Sequence, residues 1–225
     1  MHNQFGNILL SVKIPVKRML IKFWIFQKYL ELHHISIILD QIGWMKSLKK
    51  GLPLDKNGDP LPWFTYPANS FLKSRLKTDM KVFEYGSGFS TLWWSKNVGN
   101  VVACEHDQNW FLKMKELMPE NVQYYYKELV YNGEYSKLIT NYHRYFDIVC
   151  IDGRDRVNCV RNSIDALKED GVIVWDNSDR EKYLDGFMFL YEKGFRQIEF
   201  EGIGPISAKI WKTSIFYRSR NCFNI

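Results

Sequence analysis

The sequence predicts an α/β fold: a mostly parallel sheet with helices on both faces, an N-terminal helical extension and a C-terminal antiparallel hairpin. Three observations carry this. From about residue 68, short apolar runs alternate with helical stretches, the rhythm of strand-helix-strand units. That rhythm breaks near the C-terminus, where two strand-like runs are separated only by the turn Gly204-Pro205. With 225 residues, of which 46% are hydrophobic and 16% aromatic, the chain can bury a full core and lacks the composition of a disordered one.

Taken in order, residues 1–67 read as a helical cap followed by a substrate loop. "MLIKFWIFQKYLELHHISIILD" (19–40) is apolar but carries Lys22, Lys28, Glu31, His33 and His34. No window reaches the run of about 18 uncharged residues that a spanning helix needs, and no signal-peptide cleavage pattern follows. An amphipathic helix resting on the domain is expected. The alternative is a helix lying on a membrane surface through residues 13–40, helped by Lys13, Lys17, Arg18 and Lys22. "GLPLDKNGDPLPWFTYP" (51–67) is turn-rich, with Asn57-Gly58-Asp59-Pro60 as its strongest signal.

The domain proper, 68–225, begins its strands at "KVFEY" (81–85). "NVVACEH" (100–106), "VQYYY" (122–126), "FDIVCID" (146–152) and "GVIVWD" (171–176) follow. Helices are expected between them at 90–97, 108–117, 134–143 and 157–168, with another near 180–193. "FRQIEFEGI" (195–203) and "AKIWKTSIFYRS" (208–219) form the hairpin.

The net charge of +6 is spread without a basic block, so a solvated basic surface is expected and nucleic-acid binding is disfavoured. Two of the four cysteines, Cys104 and Cys150, sit inside strand-like runs, and no CxxC spacing occurs. Reduced, buried thiols and a cytoplasmic location are expected, with neither zinc nor disulfides.

The functional reading starts at "YGSGFST". Gly86 and Gly88 permit a sharp turn and close backbone approach, while Ser87, Ser90 and Thr91 can donate or cap at the following helix start, which favours a negative group. Glu105 closes the second strand at the spacing from Gly88 at which nucleotide folds place an acid on the ribose hydroxyls. Thr91 stands where a dinucleotide fingerprint has its third glycine. Glu84, just before the turn, would repel a pyrophosphate but suits an ammonium. A nucleoside carrying an α-amino acid is the ligand these residues favour. An NAD-dependent oxidoreductase and a non-catalytic nucleoside-binding partner subunit are the rivals.

"FEYGSGFST", "VVACEHD", "FDIVCIDG" and "GVIVWDN", in this order and with a terminal hairpin, resemble the class I S-adenosylmethionine-dependent methyltransferases over residues 68–219. The resemblance implies a Rossmann-like seven-stranded sheet with its last strand antiparallel. It implies cofactor contacts at Glu84, Gly86, Ser87, Gly88, Ser90, Thr91, Glu105 and Asp152, with His106 or Asp107 near the adenine. The resemblance also implies an acid or amide at the adenine after the third strand, where Lys127 and Glu128 are the only residues nearby.

Asp152 ends the fourth strand, and Asp176 with Asn177 ends the fifth, on the edge where ligands of such sheets bind. This is similar to the catechol-type metal-dependent O-methyltransferases, whose metal ligands occupy these positions; Mg²⁺ on Asp152, Asp176 and Asn177 is the implied ion. That subfamily's general-base lysine position is filled here by Asp155, flanked by Arg154 and Arg156. Asp152 and Asp155 are therefore the catalytic candidates. The competing view has Asp152 touching cofactor or substrate directly, with Asp176 and Asn177 capping the next helix. Trp63, Phe64 and Tyr66 could form a lid, Trp93 or Trp94 core packing. The expected reaction is O-methylation of a small molecule or sugar; the sequence does not fix an oligomeric state.

Overall fold

The structure is a computed structural model that describes residues 14–225. Two N-terminal helices, α1 (Ile14–Gln41) and α2 (Trp44–Lys50), precede α3 (Tyr66–Lys73). Then come β1 (Lys81–Tyr85), α4 (Phe89–Asn97), β2 (Asn100–Glu105), α5 (Gln108–Lys115), β3 (Val122–Tyr126), α6 (Glu134–Lys137) and β4 (Phe146–Ile151). The chain continues with α7 (Arg156–Ser163), β5 (Leu167–Asp176), α8 (Leu184–Glu192), β6 (Arg196–Gly202) and β7 (Trp211–Tyr217).

The seven strands form one sheet in the order β3-β2-β1-β4-β5-β7-β6. β1 to β5 pair in parallel, and β7 inserts antiparallel between β5 and β6. Because strand side chains alternate, each central strand feeds two cores. Phe83, Tyr85, Val149, Ile151, Trp175 and Phe216 enter one, against α7 and α8. Val82, Ile148, Cys150, Val174 and Ile215 enter the other, with Leu72 of α3 and Trp93 and Trp94 of α4. Burial on both faces explains why β4 is apolar except at Asp147, whose carboxylate accepts from the Lys81 amide and Lys168 Nζ.

Three expectations needed correction. The helix expected over 157–168 stops at Ser163, because the carbonyls of Asp165 and Ala166 receive the amides of Arg144, Tyr145 and Phe146 and so belong to the start of the β4–β5 ladder. The helix expected over 134–143 is one α-turn followed by a 3₁₀ turn, Leu138–Asn141. The hairpin connection is not a two-residue turn but the loop 203–210.

The N-terminal helix is the fourth correction. α1 does not rest on the domain: Phe23, Trp24 and Leu32 are 60%, 56% and 65% exposed, and among its described side chains only Leu30, Ser36 and Leu39 are partly covered. Its apolar residues surround the axis, so it has no single face to lay down. Lys13 lies outside the described residues. Among the described residues, no helix is long and apolar enough to cross a membrane. All four cysteines are free thiols, three of them buried.

Candidate active site

The order of the parallel strands reverses between β1 and β4, and the carboxyl ends of these strands open a crevice there. Gly86, at φ +90°, turns out of β1 so close to the next loop that a Cβ would lie 3.1 Å from the Gly153 backbone. Only glycine permits that approach. A cleft of about 420 Å³ results, walled by Gly86, Ser87, Ser90, Glu105, His106 and Asp152 among the residues expected there. Asp107, Trp110, Gly153, Arg154, Arg156, Asn177 and Arg180 complete it.

Glu105 is the best-prepared group of this cleft. Its Oε2 accepts from Ser87 Oγ at 2.7 Å, and its Oε1 accepts from the amides of His106 and Asp107 at 2.7 and 2.9 Å. The His106 Nδ1 stands 2.9 Å from the same oxygen. Burial alone would push this carboxyl up; these contacts outweigh it and hold it below its ordinary value. The acid is thus ionised and fixed, ready to accept from neighbouring hydroxyls.

Glu84, Gly88 and Thr91 are brought near but do not wall the cleft. Thr91 Oγ1 donates to Glu84 Oε2 and accepts from the Gly88 amide at 3.0 Å, so the three lock the first turn of α4 from within. Glu84 is fully buried, its Oε1 has no partner, and burial pushes its pKa up to about 7. Lys127 and Glu128 are also absent from the wall; the Lys127 amide donates to the Glu105 carbonyl at 2.9 Å.

Asp155 is a further correction. Both its oxygens are engaged, Oδ2 by the Asn132 amide and Oδ1 by Asn158 Nδ2, each at 2.7 Å. It joins the loop before α6 to the first turn of α7 and lines neither cleft. Nor does Asp176 cap a helix: its Oδ1 accepts from Trp211 Nε1 at 2.9 Å and Thr213 Oγ1 at 2.7 Å.

A second cleft of about 390 Å³ adjoins the first. Trp63, Asp152, Asp176, Asn177, Asp179 and Arg180 line it, with Ser207, Lys209, Ile210 and Trp211 from the β6–β7 loop and strand. Asp152, Asn177 and Arg180 belong to both clefts. The Asp152 side chain remains 25% exposed there. Burial, and then the charge of Asp176, raise its pKa well above the ordinary range against the pull of Arg156. Of the aromatic trio expected as a lid, Trp63 reaches this cleft while Phe64 is core and Tyr66 faces elsewhere.

Several contributors escaped the sequence reading. Trp110 donates Nε1 to the Ser87 carbonyl at 2.9 Å and lies over Gly88, yet in sequence it is one more aromatic behind a helix cap. Lys209 and Trp211 come from a segment whose loop length was misjudged. Arg180, close behind Asn177, was visible but was read only as a helix start.

No family model matches the chain, and no curated protein matches it in sequence. Solved structures do match in shape. The precorrin-6y C5,15-methyltransferase of Geobacter metallireducens superposes at a TM-score of 0.52 with 18% identity, covering 68% of this chain and 87% of that one. An rRNA methylase of Streptococcus thermophilus superposes at 0.50 with 12% identity, covering 68% and 95%. The chain has the fold of the class I S-adenosylmethionine-dependent methyltransferases.

Proposed function

We propose that this protein is an S-adenosylmethionine-dependent methyltransferase that methylates a hydroxyl of a small molecule or sugar. The observation that carries the reading is the pair of adjoining clefts sharing Asp152, Asn177 and Arg180: one is fitted to a nucleoside by Glu105, the other is open to an acceptor. The residues of the first cleft suit the cofactor. Glu105 offers fixed acceptor oxygens to ribose hydroxyls, and the volume falls within the range of small-ligand sites. The orphaned Glu84 oxygen beneath the turn adds negative potential on the side where an ammonium would sit.

When bound, S-adenosylmethionine supplies an electrophilic methyl group on a sulfonium. The chain's own task is then alignment and proton removal. Asp152 stands at the junction of the clefts, and its raised proton affinity suits it to take the acceptor's hydroxyl proton. Asp176 is anchored by Trp211 and Thr213 through one oxygen, leaving the other to orient the acceptor. The Trp63 and Trp211 side chains beside Ser207 and Asn177 suit a hydroxylated ring.

Calorimetric titration with S-adenosylhomocysteine tests the reading. Binding in the micromolar range is expected, weakened at least tenfold in Glu105→Ala. Binding of NAD in its place would move the protein to the oxidoreductases, and binding of neither would favour a non-catalytic partner subunit.

A further inference from the structure

The three oxygen-bearing residues at the ends of β4 and β5 raise the question of a divalent metal. Mg²⁺ takes hard oxygen ligands near octahedral geometry and is drawn by uncompensated negative charge. Here one of the two carboxylates is already bonded to a cation. Arg156, 6% exposed, lies between the two strand ends. Its Nε donates to the Gly153 carbonyl at 2.9 Å. One terminal nitrogen donates to the Asp152 carbonyl at 2.9 Å and to Asp152 Oδ1 at 3.0 Å, and the other donates to the Asp176 carbonyl.

Four oxygens from the two strand ends therefore converge on one planar cation, whose Cζ also lies 5.3 Å from the centre of the Tyr183 ring. Asp176 has one oxygen committed to Trp211 and Thr213. A divalent ion on the remaining oxygens would meet a buried guanidinium attached to the same carboxylate, a like charge in a poorly screened place.

We infer that this site works without a divalent metal, and that Arg156 is its fixed cation: a positioning residue that ties the ends of β4 and β5 together and holds Asp152 toward the acceptor cleft. The role of Asp152 toward an acceptor rests on the methyltransferase reading; the exclusion of the metal does not. A guanidinium suits the task because its planar fork satisfies several fixed acceptors at once, which a lysine ammonium cannot do in the same geometry.

The test is a titration of Mn²⁺ into the full-length protein, free and saturated with S-adenosylhomocysteine, read by electron paramagnetic resonance of the free ion. The expected result is no stoichiometric binding at millimolar Mn²⁺, and unchanged S-adenosylhomocysteine affinity in EDTA. One bound Mn²⁺ per chain, lost in Asp152→Asn or Asp176→Asn, would overturn the inference. Arg156→Gln leaves the oxygens without their cation, and a folded variant is expected to bind Mn²⁺ at least tenfold more tightly than the wild type. A folded variant with unchanged Mn²⁺ affinity would remove Arg156 from this role; if the variant does not fold, the wild-type titration decides. Failure to bind S-adenosylhomocysteine would sink the methyltransferase reading while leaving the Mn²⁺ result interpretable.

Discussion

Glu84 is a carboxyl placed where water cannot reach it, with one oxygen held by Thr91 and the other unpartnered. Its folded-state pKa of about 7 lies above the ordinary 4.5, so the native chain binds this proton more tightly than the unfolded chain does. The stabilisation is fully present below about pH 4.5 and is lost as pH rises through 7. A shift of that size corresponds to roughly 3 kcal/mol. Denaturant unfolding of the ligand-free protein between pH 5 and 8 should therefore show falling stability, and Glu84→Gln should flatten the fall by about that amount. Equal slopes in the two proteins would show that Glu84 does not titrate in this window. Asp152 and Asp176 shift in the same direction, which is why the comparison with the variant is needed. Glu84 was read as a ligand contact from its position before the glycine turn; its strand parity instead puts it on the Val82 face, where Thr91 of α4 holds it. Glu105 and Asp152 reach the cleft because each falls at the carboxyl end of its strand. Asp155 misled because a pattern match says nothing of which backbone amide a side chain will meet.

At the scale of elements, the β6–β7 loop is what converts a sheet edge into a closed-sided cleft. Residues 203–210 bring Ser207, Lys209 and Ile210 to the acceptor side, and Trp44 of α2 braces the loop by donating Nε1 to the Ser207 carbonyl at 2.9 Å. Gly204 sets the loop's approach: a Cβ there would lie 2.3 Å from the Phe64 carbonyl oxygen and 2.5 Å from the Trp211 ring. Gly204→Ala should destabilise the protein by about 1–3 kcal/mol, the usual range for forced overpacking. Because Trp211 holds Asp176, the strain falls on the acceptor cleft, and S-adenosylhomocysteine affinity should change less than twofold. Thermal unfolding and calorimetry on one sample check both halves; an unperturbed melting temperature would mean that the loop yields freely. The central strands were legible because parallel strands buried on both faces are mostly apolar, as in β2 and β4. The loop length was not, since Gly204-Pro205 satisfies turn chemistry locally, while the true span is set by the distant contact with Phe64.

For the molecule as a whole, the sequence carried the α/β layering from residue 68 onward, and α3 joins it by burying Ala68 and Leu72 in the sheet's second core. The N-terminal part was legible only as helix. Its apolar residues suggested a docked face, but α1 displays them all round and leaves Ile25, Phe26, Tyr29 and Ile38 more than half exposed. Such a helix contributes little to the stability of the sheet, because burial stabilises in proportion to apolar area removed from water and most of its large apolar side chains stay exposed. Segments with so little buried side chain are the ones whose loss a domain tolerates. Removal of residues 1–35 should therefore leave the melting temperature within about 2 °C, which for a domain of this size corresponds to under about 1 kcal/mol. S-adenosylhomocysteine affinity should be unchanged, since α2 and the Trp44 brace remain. A large fall in melting temperature would show that α1 packs against the domain in solution. A loss of affinity at constant stability would instead tie the helix to the site.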